Sequence, residues 1–342
     1  MQEYGILYNN RFSNISEESL KEVIEDIRKD HRNMGEVMIM GHLRSRRINV
    51  QRHRVRSILE QMDPEGIRKR KRKPIQRRTY NVPCPNYMWH IDGNHKLIRY
   101  RMVIHCGIDG FSRLITFLRC CDNNRADVVL ELFRNATEYL GFPLHVRTDH
   151  GGENVKVWEA MYDRFGVDVR PVLTGRSVHN QRAERNNRDL NVCITTPFKQ
   201  IFLQLESDGH LDVDNETDMF CLHYVYIPRI NNALVAHLNA HNNHKISTEA
   251  SATPSQLFYA NNHLRELFVN TSTDTSGQLS PDQCPELSVV TVPSTACPIS
   301  DEKFMELEAT IDPLKDSNMQ GKDIFLEVVD FVGNAVQQVG MH

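Results

Sequence analysis

The chain has 342 residues, of which 40% are hydrophobic and 25% charged, the composition of an ordinary globular protein with room for two or more domains. No apolar run is long enough to cross a bilayer, and residues 1–4 do not begin a signal peptide, so we expect neither a membrane span nor secretion. The eight cysteines include no Cys-x-x-Cys pair, which favours reduced intracellular thiols over a disulfide framework or a zinc ribbon.

Charge is distributed unevenly along the chain, although the formal net charge is only −3. Residues 1–80 hold 19 basic and 11 acidic side chains, residues 81–261 hold 18 and 20, and residues 262–342 hold 4 and 13. A basic head, a nearly neutral middle and an acidic tail indicate that the head meets nucleic acid.

The head, residues 1–66, predicts three short helices. Ser16 is a typical N-cap for a first helix that ends near Asp30. A second helix is expected at about 35–44, and a third begins near Val50. Three short helices with a tight turn before the last one are typical of a helix-turn-helix domain.

In this interpretation the third helix presents Arg52, Arg54 and Arg56 to phosphates and guanine edges of DNA. A small helical bundle with solvated arginines would give the same pattern. Three evenly spaced histidines lack cysteine partners and are interpreted as residues of the helix surface rather than zinc ligands: His31, His42 and His53.

A block of basic residues follows the head: Arg68, Lys69, Arg70, Lys71, Arg72 and Lys73. Because like charges repel, the block cannot pack, and we expect residues 67–84 to form an extended linker. The linker could be a nuclear localisation signal, an arm that follows DNA phosphates, or a solubilising hinge. We expect a nuclear protein.

From Tyr87 onward the pattern becomes that of an α/β domain. Five strands are expected, at 88–97, 102–108, 114–119, 144–148 and 167–172, with helices at 126–139, 155–164 and 178–195. This order is that of a ribonuclease-H-like fold, a mixed five-stranded sheet with flanking helices. Thr196 is expected to cap a further helix that has Pro197 at its first position.

The remaining boundaries follow from composition. We assign 85–262 to the α/β core with its trailing helices, which are expected at 214–242 and 254–259. Residues 263–300 are interpreted as a Ser/Thr/Pro-rich linker. Residues 301–342 form a small acidic helical segment whose role the sequence does not reveal.

Three acidic residues fall where this order of elements would bring them together. Asp92 lies in the first strand, Asp149 at the end of the fourth, and Glu184 on the helix after the fifth. Any one of them alone would more often be a turn former or a surface acid. Together they would repel one another unless a cation is bound, and carboxylates are the ligands that Mg²⁺ prefers. The set predicts a site for two divalent cations.

Residues 89–92 (Trp-His-Ile-Asp), 148–154 (Thr-Asp-His-Gly-Gly-Glu-Asn) and 177–187 resemble the three blocks of the DDE integrase core. Retroviral and retrotransposon integrases and many transposases share this core. The whole chain is similar to metazoan integrase-core proteins related to DNA transposons. The Asp109–Ser112 turn also matches the family, where it is structural.

The resemblance implies that Asp92, Asp149 and Glu184 are catalytic ligands of two Mg²⁺ ions, for which Mn²⁺ can substitute. It places Arg188 against the DNA end, and Arg185 on the same helix is also expected to bind DNA. It also implies a homo-oligomer acting on element ends and target DNA, without a small-molecule cofactor. Two departures are loop changes that leave the interpretation intact: His150 stands where Asn is common, and the second acidic interval is one residue short.

Three functions are compatible with these residues. The leading hypothesis is an integrase or transposase, a polynucleotidyl transferase that cleaves DNA ends and transfers strands. The alternative is a domesticated DNA-binding protein that kept the fold and the acids without turnover. A ribonuclease acting on RNA·DNA hybrids would share the fold and metals but would leave the helix-turn-helix unexplained.

Overall fold

The computed structural model describes residues 12–30, 34–66, 82–174, 181–269 and 290–339. The head forms the three helices expected: α1 (Glu17–Asp30), α2 (Glu36–Ser45) and α3 (Arg52–Met62). Leu20, Ile24 and Ile27 repeat at helical spacing on α1 and are buried, so one apolar face holds α1 against its neighbours.

The α/β core contains a five-stranded mixed sheet. Its strands are β1 (Met88–Asn94), β2 (Val103–Asp109), β3 (Ile115–Cys121), β4 (His145–Thr148) and β5 (Val172–Thr174). The spatial order is β3-β2-β1-β4-β5. Strand β2 pairs antiparallel with both β1 and β3, and β4 pairs parallel with both β1 and β5. The ribonuclease-H-like sheet predicted from the sequence is confirmed.

The helices of the core and tail follow in chain order: α4 (Ala126–Leu140), α5 (Val155–Phe165), α6 (Gln181–Leu190), α7 (Thr196–Ser207), α8 (Glu216–Asn243), α9 (Pro254–Asn261), α10 (Arg265–Val269), α11 (Asp301–Thr310) and α12 (Lys322–Val339). Trp89, Ile91 and Phe133 form a cluster between one face of the sheet and α4 and α5. The opposite face belongs to a larger cluster shared with α6, α8, the head and the two tail helices.

The turn between β2 and β3 is built on Asp109, which is fully buried. Its carboxylate accepts hydrogen bonds from Ser112 N at 2.7 Å, Ser112 Oγ at 2.6 Å and Asn86 N at 2.8 Å. Asn86 in turn accepts from the Trp89 indole at 2.9 Å. The turn therefore fixes the entry to β1.

Strand β5 is shorter and later than the predicted 167–172. The alternation of Val167 and Val169 suggested a strand, but Val167 is 73% exposed. Arg170 has a φ of 47°, in the left-handed region, and Pro171 lacks a backbone donor. Pairing with β4 therefore begins only after the proline.

A further helix begins at Thr196 as predicted, but Thr196 does not cap it. Residues 191–195 form a π-helical turn, Thr195 and Thr196 both have right-handed helical dihedrals, and neither provides a side-chain cap. The wide turn shifts the backbone hydrogen-bond register just where Pro197 removes a donor. Helices α6 and α7 therefore continue into each other.

Helix α2 packs against α8 through a close backbone contact. A Cβ on Gly41 would lie 2.4 Å from the carbonyl oxygen of Ala240, and Arg44 Nη1 donates to the carbonyl of Asn243 at 2.9 Å. His42 was interpreted from the sequence as a surface residue. It is buried, because it follows Gly41 in the part of α2 that packs against α8. His53 is exposed as expected, and His31 lies outside the described residues.

Helix α8 also covers the outer edge of the sheet. The side-chain amide of Asn231 accepts from Cys120 N at 2.9 Å and donates to Cys120 O at 3.1 Å. Asn242 makes the same pair of bonds with the backbone of Ile115, at 2.9 and 3.1 Å. Two asparagines three helical turns apart thus satisfy the backbone of the edge strand β3.

None of the helices in the described parts of the chain is long and apolar enough to cross a membrane.

Candidate active site

Asp92 projects from β1 on the face opposite the Trp89 and Ile91 side chains, as the alternation of a strand requires. Asn187 on α6 donates from its side-chain amide to Asp92 Oδ2 at 2.7 Å. The backbone N–H of Gly93 also donates to this carboxylate. Asp92 therefore faces α6 in a half-buried position.

Asp149 follows β4 directly and is held by the turn after it. Its Oδ1 accepts from Gly151 N at 3.2 Å and from the Asn154 side-chain amide at 3.1 Å. The preceding Thr148 hydroxyl accepts from the Trp158 indole at 3.0 Å, which ties the strand end to α5. Because β1 and β4 are parallel neighbours, Asp149 lies at the sheet edge toward which β1 carries Asp92.

Glu184 lies on the exposed side of α6, in its first turn. Ala183, Asn186 and Leu190 form the buried face of the same helix. At the far end of α6, Asn94 of β1 donates to Asn191 Oδ1 at 2.8 Å. The helix is thus fixed to the strand that carries Asp92 at two points, one beside Glu184 and one beyond its C-terminus.

The charges of Asp149 and Glu184 both act on Asp92. The pKa of Asp92 is raised to about 7, first by burial and then by these two charges. Hydrogen bonds from Gly93 and Asn187 act in the opposite direction. In the described residues no three His, Cys, Asp or Glu side chains are positioned to hold a metal ion together. The three acids therefore share one electrostatic environment without forming a closed ligand set.

The donor set nevertheless fits a hard divalent cation. It consists of carboxylates. Beside Asp92, the carbonyl oxygen Oδ1 of Asn187 is buried and lacks a hydrogen-bond partner among the described residues, which leaves it available to a water on such an ion. Glu184 is exposed, so its side chain can rotate toward Asp92 without breaking a packed contact.

Several polar residues beside the acids were not singled out from the sequence. Glu153 is 6% exposed, and burial together with the charge of Asp149 raises its pKa. Asn124, in the turn after β3, donates to Glu153 Oε2 at 3.3 Å. The pKa of His95 is lowered by burial although the charge of Asp149 opposes this. Among the polar residues beside the acids, only Asn187 could have been found from the sequence, because it lies about one helical turn after Glu184.

The residues expected to bind DNA have different surroundings. Arg52 and Arg56 both pair with Glu36 of α2, and their side chains stay 63% and 53% exposed. Arg54 donates to the carbonyl of Ile15 at 2.7 Å, so it also supports the head. On α3 the arginines therefore have partners within the head, and two of them remain accessible.

On α6, Arg185 pairs with Asp189 at 3.3 Å, and Arg188 is exposed one turn beyond Glu184. The basic block Arg68–Lys73 lies outside the described residues. The structure thus brings two basic side chains near the third acid.

Comparison with known proteins finds solved structures that resemble this chain at low sequence identity and one matching family. The catalytic core domain of HTLV-2 integrase in complex with magnesium, in its trimeric form, is 19% identical, with a TM-score of 0.35 over 52% of this chain and 99% of that one. A chain of the simian T-cell lymphotropic virus intasome in complex with PP2A regulatory subunit B56 gamma is 17% identical, with a TM-score of 0.42 over 79% and 78%. The BIV integrase core is 17% identical, with a TM-score of 0.35 over 53% and 99%.

A search among curated proteins found no significant match. The sequence profile of the integrase core domain matches residues 79–273, which is more than half of the chain. The protein therefore belongs to the integrase core domain family.

Proposed function

We propose that the protein is a DDE-type polynucleotidyl transferase that cleaves DNA ends and joins them to target DNA. One observation carries the proposal: Asp149 after β4 and Glu184 on α6 both act electrostatically on Asp92 in the central strand. Carboxylates from three separate elements repel one another, and such an arrangement is costly unless it serves a cation. Membership of the integrase core family supports the same conclusion.

Asp92, Asp149 and Glu184 would hold two Mg²⁺ ions, and Mn²⁺ could take their place. When bound, such ions activate an attacking oxygen and neutralise charge on the leaving oxygen of a phosphodiester. Asn187 keeps the Asp92 carboxylate oriented toward α6, and Gly151 and Asn154 fix that of Asp149. Glu184 supplies a carboxylate that can move. Water and a freed 3′ hydroxyl would serve in turn as nucleophile at this one site.

DNA would be held by basic residues around these acids. Arg185 and Arg188 are placed to contact phosphates next to the cleaved bond, and α3 would read DNA through Arg52 and Arg56. We also propose that the protein acts in the nucleus as a homo-oligomer, because end joining requires two DNA ends to be held at once.

The test is nicking and strand joining by the purified full chain with Mg²⁺ or Mn²⁺. Asp92→Asn, Asp149→Asn and Glu184→Gln should each abolish both reactions. Asp163→Asn is the matched control, because it removes an exposed acid of α5 that lies outside the triad. Equal activity of the triad variants and wild type would refute the assignment.

Two further outcomes identify the alternatives. DNA binding without nicking, unchanged by Asp149→Asn, would show a domesticated DNA-binding protein. Degradation of an RNA·DNA hybrid in preference to duplex DNA would show a ribonuclease.

A further inference from the structure

The acidic tail returns to the rim of the candidate active site. Val290, the first described residue after α10, accepts a hydrogen bond through its carbonyl oxygen from the side-chain amide of Asn124 at 3.1 Å. Asn124 lies in the turn between β3 and α4. The tail therefore contacts the core more than 160 residues away in sequence, at the edge of the sheet where β3 ends.

This contact lies beside the acids. The same amide nitrogen of Asn124 donates to Glu153 Oε2 at 3.3 Å, and the charge of Glu153 is coupled to that of Asp149. The carbonyl of Val290 is thus separated from the Glu153 carboxylate by two hydrogen bonds. A DNA duplex is far wider than the span of these two hydrogen bonds, and we therefore expect a duplex bound at the acids to meet the tail.

Residues 290–299 are firmly anchored at their other end, where the chain enters α11. Ile299 is buried in the large apolar cluster, and the Ser300 hydroxyl accepts from Lys303 N at the start of α11. The Tyr224 hydroxyl of α8 donates to the carbonyl of Ile311 at 2.8 Å, and Arg229 donates to that of Lys315 at 2.6 Å. Helices α11 and α12 therefore hold one end of the segment against α8.

Between these ends the chain has no regular secondary structure, and most of its residues are exposed. Residues 290–299 carry no charge, whereas residues 300–339 carry nine acidic and three basic side chains. A neutral segment tied to an acidic unit has no attraction for DNA, and its acidic anchor would repel phosphates approaching the rim. An uncharged segment with an acidic anchor is suited to covering the acidic site and is not suited to binding DNA.

We propose that residues 290–299 form an autoinhibitory strap, which lies across the approach to the acidic site and must leave Asn124 before DNA can enter. The inference rests on the proposed function for the identity of the ligand. The strap is held at the rim by the Val290 carbonyl and at its other end by a packed helical unit. Release at the rim is therefore local, and α11 and α12 stay in place.

The first experiment loosens the strap in the full-length chain. Pro293→Gly with Pro298→Gly removes two backbone constraints from the strap without touching the acids or the anchor. Affinity for a short mixed-sequence duplex should rise about three- to tenfold, because apparent affinity scales with the fraction of molecules in the open state. Pro313→Gly is the matched control: it is the same substitution in the turn between α11 and α12, and its affinity should equal that of wild type.

The second experiment measures limited proteolysis of the wild-type chain with and without the duplex. Cleavage within the strap should become faster when DNA binds, while α12 remains uncleaved. Unchanged or slower cleavage of the strap on DNA binding would overturn the proposal, as would equal affinity of the loosened and control variants. Absence of duplex binding by all three chains would overturn it too, because the strap would have nothing to exclude.

Nicking activity separates this inference from the proposed function. Strap release by DNA without any nicking would contradict the catalytic assignment and leave the strap intact. Nicking by wild type and loosened variant at equal rates and equal affinities would keep the catalytic assignment and exclude the strap.

Discussion

Asn187 donates its side-chain amide to Asp92 across the gap between α6 and the central strand, at 2.7 Å. The bond connects the helix that carries Glu184 to the first acid of the triad. Because a residue behind a metal ligand fixes the orientation of that ligand, its loss costs affinity or rate without removing the ligand itself.

We therefore expect Asn187→Ala to lower metal-dependent nicking about 10- to 100-fold and to raise the metal concentration needed for half-maximal rate. The melting temperature should change little, since Asn187 is only partly buried. Asn261→Ala, which removes an amide bonded to the carbonyl of Leu257 on α9, is the control. An unchanged metal requirement in Asn187→Ala would show that the bond does not position Asp92.

The comparison of sequence and structure shows which features local patterns determine. The period-two pattern located β1 to β4 because their residues alternate between two buried faces. It failed at Val167 and Val169, where the same alternation lies in an exposed turn ended by Pro171. Local rules likewise predicted a cap at Thr196 and missed the π turn before it. Capping residues are recognised from local sequence, whereas the π turn depends on packing.

The acids themselves were recognisable, since each falls at the end or middle of a predicted element. Their supporting residues were not, because Asn124 and Glu153 meet across 29 residues of chain. The packing of the head on α8 was also hidden, since nothing around Gly41 distinguishes it from an ordinary helical glycine. Long-range contacts of this kind follow from the tertiary structure alone.

Gly41→Ala tests the packing of the head against α8. The added Cβ would lie 2.4 Å from the backbone carbonyl of Ala240, which cannot move aside as a side chain could. We expect a loss of about 1–3 kcal/mol in the free energy of unfolding, measured by urea denaturation. Gly333→Ala on α12 is the matched control: a Cβ there meets nothing within 4 Å. It should be neutral or stabilising by up to about 1 kcal/mol, because alanine favours a helix.

Asn231 and Asn242 offer a test of the covered sheet edge. Each bonds to both the N–H and the C=O of one β3 residue, so alanine at either position leaves two backbone groups of the edge strand without their partners. We expect each substitution to cost about 1–3 kcal/mol. The double variant should also self-associate with rising concentration in analytical ultracentrifugation, because an uncovered edge strand pairs with other chains. Asn239→Ala on the same helix is the control, and a monomeric double variant would argue against edge protection.

His241 on α8 gives a pH prediction. Burial, and then the nearby His244 and Arg113, lower its pKa to about 3, while its Nε2–H donates to the carbonyl of Arg113 at 2.9 Å. A histidine whose folded pKa lies below the unfolded value of about 6.5 destabilises the fold once pH falls below that value, and the loss grows until the folded pKa is reached. At pH 5 the contribution is about 2 kcal/mol, since one pKa unit corresponds to about 1.4 kcal/mol.

His241→Gln should remove this loss, because a glutamine amide can donate to the same carbonyl and does not titrate. The measurement is the free energy of unfolding of both chains between pH 8 and pH 5. The difference should move in favour of the variant as pH falls, by about 2 kcal/mol over the range. His210→Gln, a substitution of an exposed histidine, is the control and should follow wild type. Parallel pH profiles for His241→Gln and wild type would mean that His241 does not set the acid sensitivity of the fold.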